Sequence, residues 1–179
     1  AAATPDAPAL IQWTDAGVRS VSFKELRGRA DRLANSLAGL GVAPGDRVGI
    51  LLPQCVEAAE AHLAVYKLGA VAIPLFTLFG PDALAYRLAD SGASALIGTA
   101  DGLATVDSVR DQVPDLRHRI AVHGDAPGAH GYEALLAKAR DRFETADTAA
   151  DDPAVVIYTS GTTGNPKGAL HAHRVLLGH

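Results

Sequence analysis

A chain of 179 residues, 48% hydrophobic and 20% charged, has globular composition and is neither a disordered nor a fibrous sequence. Its formal net charge of -4, with basic residues scattered among acids, excludes a basic stripe for nucleic acid, so a phosphate ligand must be held by local donors. No apolar run approaches the roughly 20 residues of a membrane span, and one cysteine, Cys55, allows no internal disulfide, which favours a reducing, cytoplasmic setting. No basic-then-apolar leader is visible. Methionine is absent, so the native N-terminus is expected upstream.

Ala9–Trp13 and Val18–Phe23 read as two strands joined by the turn Thr14-Asp15-Ala16-Gly17, a hairpin expected at one edge of the main sheet. Ser22 and Glu25 form a capping box for a helix with Phe23, Leu26, Ala30, Leu33, Leu37 and Leu40 on one face. Gly41 ends that helix. Arg47–Leu52 is an apolar strand closed by Pro53, and a helix runs from Val56 to Leu68 before Gly69. Ala70–Leu75 is the next strand. Pro81 opens a helix to Asp90, Ser91-Gly92 breaks it, and Ala95–Gly98 is a strand. Helices are expected over 102–112 and 131–143, around a strand near Ile120–Val122. Ala154–Tyr158 reads as a last, buried strand. The strands are apolar runs alternating with helices. The fold class is therefore α/β, a layered, mixed but largely parallel sheet with helices on both faces. No internal domain boundary shows, so residues 1–179 read as one unit.

Directly after the last strand comes Tyr158-Thr159-Ser160-Gly161-Thr162-Thr163-Gly164-Asn165-Pro166-Lys167-Gly168. A polyphosphate needs several donors converging on one point. Gly161, Gly164 and Gly168 let the backbone curl with its amides exposed. Thr159, Ser160, Thr162 and Thr163 add hydroxyls, and Lys167 adds a cation. The loop follows a strand tip, where open parallel sheets bind ligands. It is not a P-loop, because Lys167 lies between Pro166 and Gly168 and is not followed by Ser or Thr.

The segment Tyr158–Gly168 closely resembles the phosphate signature of the AMP-forming acyl-adenylate enzymes, the superfamily of acyl-CoA synthetases, peptide-synthetase adenylation domains and firefly luciferase. Upstream, Ser22–Leu26, Gly45–Val48 with Leu51–Gln54, and Lys67–Leu75 are similar to segments of the same family, so the likeness covers nearly the whole chain. Leu75–Asp82 is more like acyl-CoA synthetases for acetate, medium-chain or aromatic acids than like adenylation domains.

The resemblance implies an AMP-forming acid–CoA ligase of carboxylic or fatty acid metabolism. A carboxylate and ATP give an acyl-adenylate and pyrophosphate, and coenzyme A then gives the thioester and AMP. Thr159, Ser160, Gly161, Thr162, Thr163, Gly164, Lys167 and Gly168 would hold the β- and γ-phosphates, with Mg²⁺ bridging phosphate oxygens. The implied partners are a small carboxylic acid, ATP and coenzyme A, with no nucleic acid and no membrane span; the sequence specifies neither the acid nor the oligomeric state. Residues 1–179 would be the N-terminal portion of the large AMP-binding domain, ending just after the phosphate loop. The later adenine, ribose and hinge motifs and the C-terminal lysine are missing from it. No catalytic residue is therefore assigned, and the 179-residue chain is expected to be inactive by itself. The rival reading is a non-catalytic nucleotide-binding or structural module that keeps the fold.

Other polar residues carry less. His171 and His173 alternate without a nearby Cys, Asp or Glu cluster, so no metal site is expected and a position leading into a helix suffices. Cys55 starts a helix with no basic residue adjoining it in sequence and reads as a packed residue. His62 reads as a satisfied core residue. Asp151-Asp152 reads as a turn, and Gly39-Leu40-Gly41 follows a helix and lacks a third glycine, so it is no dinucleotide fingerprint.

Overall fold

The structure, a computed structural model, describes residues 3–15, 17–159 and 164–176. Strands β1 (Pro8–Thr14) and β2 (Gly17–Ser22) pair antiparallel, with Leu10 opposite Val21. The chain turns directly into α1 (Phe23–Gly39), where the Ser22 hydroxyl accepts from the Glu25 amide and the Glu25 carboxylate accepts from the Ser22 amide. Both ends of the capping box are therefore made. Gly41 takes φ 91° just beyond the helix, a left-handed turn that glycine adopts at little cost.

Then follow β3 (Arg47–Leu51), α2 (Val56–Leu68), β4 (Val71–Pro74), α3 (Pro81–Ser91), β5 (Ala95–Thr99), α4 (Ala100–Asp107) and β6 (His118–Val122). A short β7 (His130–Gly131), α5 (Tyr132–Lys138), β8 (Pro153–Thr159) and β9 (Lys167–Ala172) complete the order. The main sheet has seven strands in the order β7-β6-β5-β3-β4-β8-β9. All neighbours are parallel except β8 and β9.

The expected fold class is the observed one, but four details differ. The β1–β2 hairpin is a separate two-stranded sheet and does not edge the main one. Its apolar side, Leu10 and Val21, packs on Leu26 of α1 and Val56 of α2, which offer a nearer apolar surface than the sheet edge. The antiparallel edge comes from β9, a strand with no apolar run to announce it in the sequence. The helix expected over 131–143 stops at Lys138, and that over 102–112 divides into α4 and a 3-10 turn at Arg110–Gln112. Finally, β8 is buried only at Ala154 and Val155, while Ile157 is 43% exposed.

Two apolar layers sandwich the sheet. Val48, Ile50, Ala95, Ile97 and Ile120 face α1, α2 and α5. Leu51, Ile73, Leu96 and Ala121 face α3 and α4. Side chains alternate along each strand, so a stretch buried on both faces must be apolar throughout, as Val48–Leu51 of β3 and Ala95–Gly98 of β5 are. Packing is close: a Cβ on Gly49 would lie 2.8 Å from Leu96 and 3.1 Å from Leu88.

One charged network lies within this apolar setting. Glu60 of α2 is fully buried. It accepts from Arg29 Nε of α1 at 2.7 Å and from the Tyr132 hydroxyl of α5 at 2.6 Å. Three helices are thus tied at one carboxylate. Burial works against the Arg29 charge, but Glu133 and Glu60 outweigh it and hold the guanidinium protonated.

Candidate functional site

The phosphate segment joins β8 to β9. Parallel pairing puts the carboxyl end of β8 on the same side as those of β3, β4, β5 and β6, so the segment leaves the sheet where α/β folds place their ligands. Of the expected site residues, Thr159, Gly164, Lys167 and Gly168 are placed. Ser160, Gly161, Thr162 and Thr163 lie outside the described residues.

Thr159 ends β8 and pairs with Lys167, which opens β9. The hydroxyl residue and the cation therefore stand side by side at the mouth of the hairpin, both exposed. Gly164 has φ 93°, a conformation that a side chain would strain. Gly168 pairs with Tyr158, and a Cβ there would lie 2.8 Å from Val156 Cγ1 and 3.3 Å from the Tyr158 ring. That glycine is required by a close approach between strands and not by backbone freedom.

Helix α3 supports the hairpin from below. The Tyr86 hydroxyl donates to the Pro166 carbonyl at 3.1 Å, and the Tyr158 hydroxyl donates to Asp90 Oδ2 at 2.6 Å. Burial and the Asp90 hydrogen bond push the Tyr158 hydroxyl well above its ordinary range, so it stays a donor. The Arg87 guanidinium lies 4.1 Å from the Phe79 ring centre and 5.7 Å from that of Tyr158. Buried Arg87 also donates from Nη1 to its own helix at the Ala83 carbonyl, 2.7 Å away. Tyr86, Arg87 and Asp90, with Phe79 against the Arg87 guanidinium, thus brace β8 at Tyr158 and the connection at Pro166. Sequence reasoning missed them. Their signal was present: Tyr86 and Asp90 are four apart on one face of α3.

Chemically, this arrangement offers anion donors. Lys167 is the one ionic side chain between Tyr158 and Gly168. The Lys167 ammonium and the Thr159 hydroxyl, paired across the strands, are both donors toward an anion.

The other polar candidates fall out simply. His171 lies in β9 and His173 begins a 3-10 turn, His173–Leu176, with its ring edge-on to Tyr66 at 6.0 Å. His62 Nδ1 lies 3.3 Å from the Tyr66 hydroxyl, and burial lowers the imidazole pKa. Asp152 Oδ2 accepts from the Ala149 amide at 2.8 Å, a turn as expected. Cys55 is half-buried at the start of α2, and burial, with the neighbouring Glu57 charge, raises its thiol pKa. The sequence shows no basic residue beside it, yet the fold brings His123 there.

The sequence pattern described as "AMP-binding enzyme" matches residues 1–178. An acetyl-coenzyme A synthetase of Xanthobacter autotrophicus is 38% identical over 170 residues, covering 86% of this chain and 26% of that protein. A long-chain-fatty-acid–CoA ligase of Mycobacterium tuberculosis is 34% identical over 166 residues, covering 86% of this chain and 30% of that protein. The crystal structure of an anthranilate CoA ligase in complex with anthranoyl-AMP superposes with a TM-score of 0.89 at 31% identity, over 96% of this chain and 33% of that one. The chain thus spans between a quarter and a third of the length of these proteins. By sequence pattern and by fold, it belongs to the AMP-binding enzyme family.

Proposed function

We propose that residues 1–179 are the N-terminal portion of the large AMP-binding domain of an ATP-dependent acid–CoA ligase, and that they supply its pyrophosphate grip. In the reaction, a carboxylate oxygen bonds to the α-phosphorus of ATP and the bond to the bridging oxygen breaks, releasing pyrophosphate. The coenzyme A thiol then attacks the acyl carbon, loses its proton, and AMP leaves. Thr159, Ser160, Gly161, Thr162, Thr163, Gly164, Lys167 and Gly168 hold the β- and γ-phosphates. Lys167 meets the negative charge that grows on the departing diphosphate, where a preorganised cation contributes most. The anthranilate ligase with anthranoyl-AMP supports a nucleotide role for this fold.

The observation that carries the reading is the pairing of Thr159 with Lys167 at the carboxyl edge of a parallel sheet. Calorimetric titration with ATP and with pyrophosphate tests it. Lys167→Ala is expected to weaken both about ten- to a hundred-fold, the worth of one charge-assisted hydrogen bond. Equal binding by the two proteins would instead favour a structural module. With the remainder of the ligase absent, the 179-residue chain should give no ATP–pyrophosphate exchange. Turnover above background would show that the chain is a sufficient catalyst.

A further inference from the structure

Away from the hairpin, the fold gathers three metal-ligating side chains from two distant parts of the sequence. Cys55 precedes the first turn of α2, Glu57 lies within it, and His123 follows the tip of β6. A thiol sulfur, a carboxylate oxygen and an imidazole nitrogen there all lie within 4.8 Å of one another. We propose that Cys55, Glu57 and His123 bind a transition-metal dication of the Zn²⁺ kind, with a fourth position left to water.

The donor set selects the metal class. Thiolate, imidazole and a single carboxylate suit Zn²⁺, whereas Mg²⁺ and Ca²⁺ require mostly oxygen. In a tetrahedral zinc site the ligand atoms stand roughly 3.5 Å apart, so the cluster must contract by about 1 Å. The His123 side chain is 60% exposed and can swing to supply that.

Each ligand is already turned toward the site. Among the described residues, His123 is the one non-glycine residue at positive φ, 56°, and Gly124 follows at 125°. This left-handed turn sends the ring back over α2, with Nε2 3.2 Å from Glu57 Oε2. Such backbone strain persists where the surroundings hold it and is concentrated at functional positions. The Glu57 side chain is only 3% exposed, and its other oxygen accepts from Arg19 Nη1 of β2 at 2.7 Å. The carboxylate is therefore oriented by a second partner while Oε2 remains directed at the cluster, as ligating carboxylates usually are. Cys55 is extended (φ -141°, ψ 169°) at the N-cap of α2, its sulfur beside the Glu57 and Ala58 amides of the first turn and the Glu57 carboxylate.

The location is suited to a ligand. The connection after β3 enters α2 on one face of the sheet, and that after β5 enters α4 on the other. Neighbouring strands whose connections part in this way open a crevice at their carboxyl ends. The cluster stands on the α2 side of that crevice, with β4 separating β3 from the phosphate hairpin strand β8.

Co²⁺ titration of the chain, followed by absorption, tests the site. Cys55 is the only cysteine, so a thiolate-to-Co²⁺ charge-transfer band can arise from no other residue. The wild-type protein should show that band together with tetrahedral visible bands, and Cys55→Ser should abolish the first. Serine is a favoured N-cap, so this variant keeps α2. His123→Asn, which tolerates the left-handed backbone, should weaken Co²⁺ binding about ten-fold or more. Zn²⁺ should raise the unfolding temperature of the wild type and of neither variant, with circular dichroism confirming that both variants are folded. A charge-transfer band surviving Cys55→Ser, undiminished Co²⁺ affinity in His123→Asn, absence of the band from the wild type, or an equal Zn²⁺ effect on all three proteins would overturn the proposal.

Discussion

Gly168 shows how one missing Cβ fixes a position. Its neighbours across the strands, Val156 and Tyr158, occupy the space that any side chain would need. Gly168→Ala should therefore overpack the hairpin and cost about 1–3 kcal/mol in urea unfolding. His62 makes a second prediction at this scale. Burial lowers its folded pKa below the ordinary 6.5, so the unfolded chain binds the proton more readily. Its contribution is fully present above pH 6.5 and is lost as pH falls through that value toward the lower folded pKa. Thermal melts across the neutral to mildly acid range should show stability declining on the acid side, and His62→Gln should flatten that slope. The candidate loop residues were nominated one by one from the sequence, because glycine, hydroxyl and lysine suggest phosphate chemistry by type, and Thr159, Gly164, Lys167 and Gly168 are placed on the hairpin. For Asp90, Arg87 and Tyr86 the four-residue spacing showed only a shared helix face, and nothing local named the hairpin about 70 residues later that rests on them.

The elements that the sequence revealed are those whose signals are local. The capping box at Ser22 and Glu25 and the glycines closing α1, α2 and α3 all formed where expected. β9 escaped because its residues are largely exposed and carry no apolar run. A strand–turn–strand reading of Gly164-Asn165-Pro166 between Thr159 and Lys167 would have found it. β7 escaped because it is only two residues long. Contacts between elements were equally invisible, above all the Arg29–Glu60–Tyr132 network. Removing the Tyr132 hydroxyl takes one of the partners from a fully buried carboxylate. Tyr132→Phe should therefore destabilise the chain by about 1–3 kcal/mol in urea, with circular dichroism unchanged in the folded baseline.

For the whole molecule, the doubly wound sheet follows from apolar strands alternating with helices, and its order does not. The sequence places β8 last of the parallel strands but not beside β4, nor β3 at the centre, because pairing between distant segments is settled by which helix covers which face. The same sheet leaves apolar side chains at its β8–β9 margin, with Ile157 43% and Leu170 61% exposed. The register there is uneven. β8 meets β4 at one ladder pair, Ala72 with Val155, but runs alongside β9 from Pro153 to Thr159. By ladder pairing, β8 is thus joined along more of its length to β9 than to β4. In native-state hydrogen exchange, the β9 amides should open at markedly lower free energy than those of β3 and β5, and saturating pyrophosphate should slow them selectively. A nucleotide tail would then be met at the margin of the sheet, where the outermost strand yields first and the interior stays undisturbed.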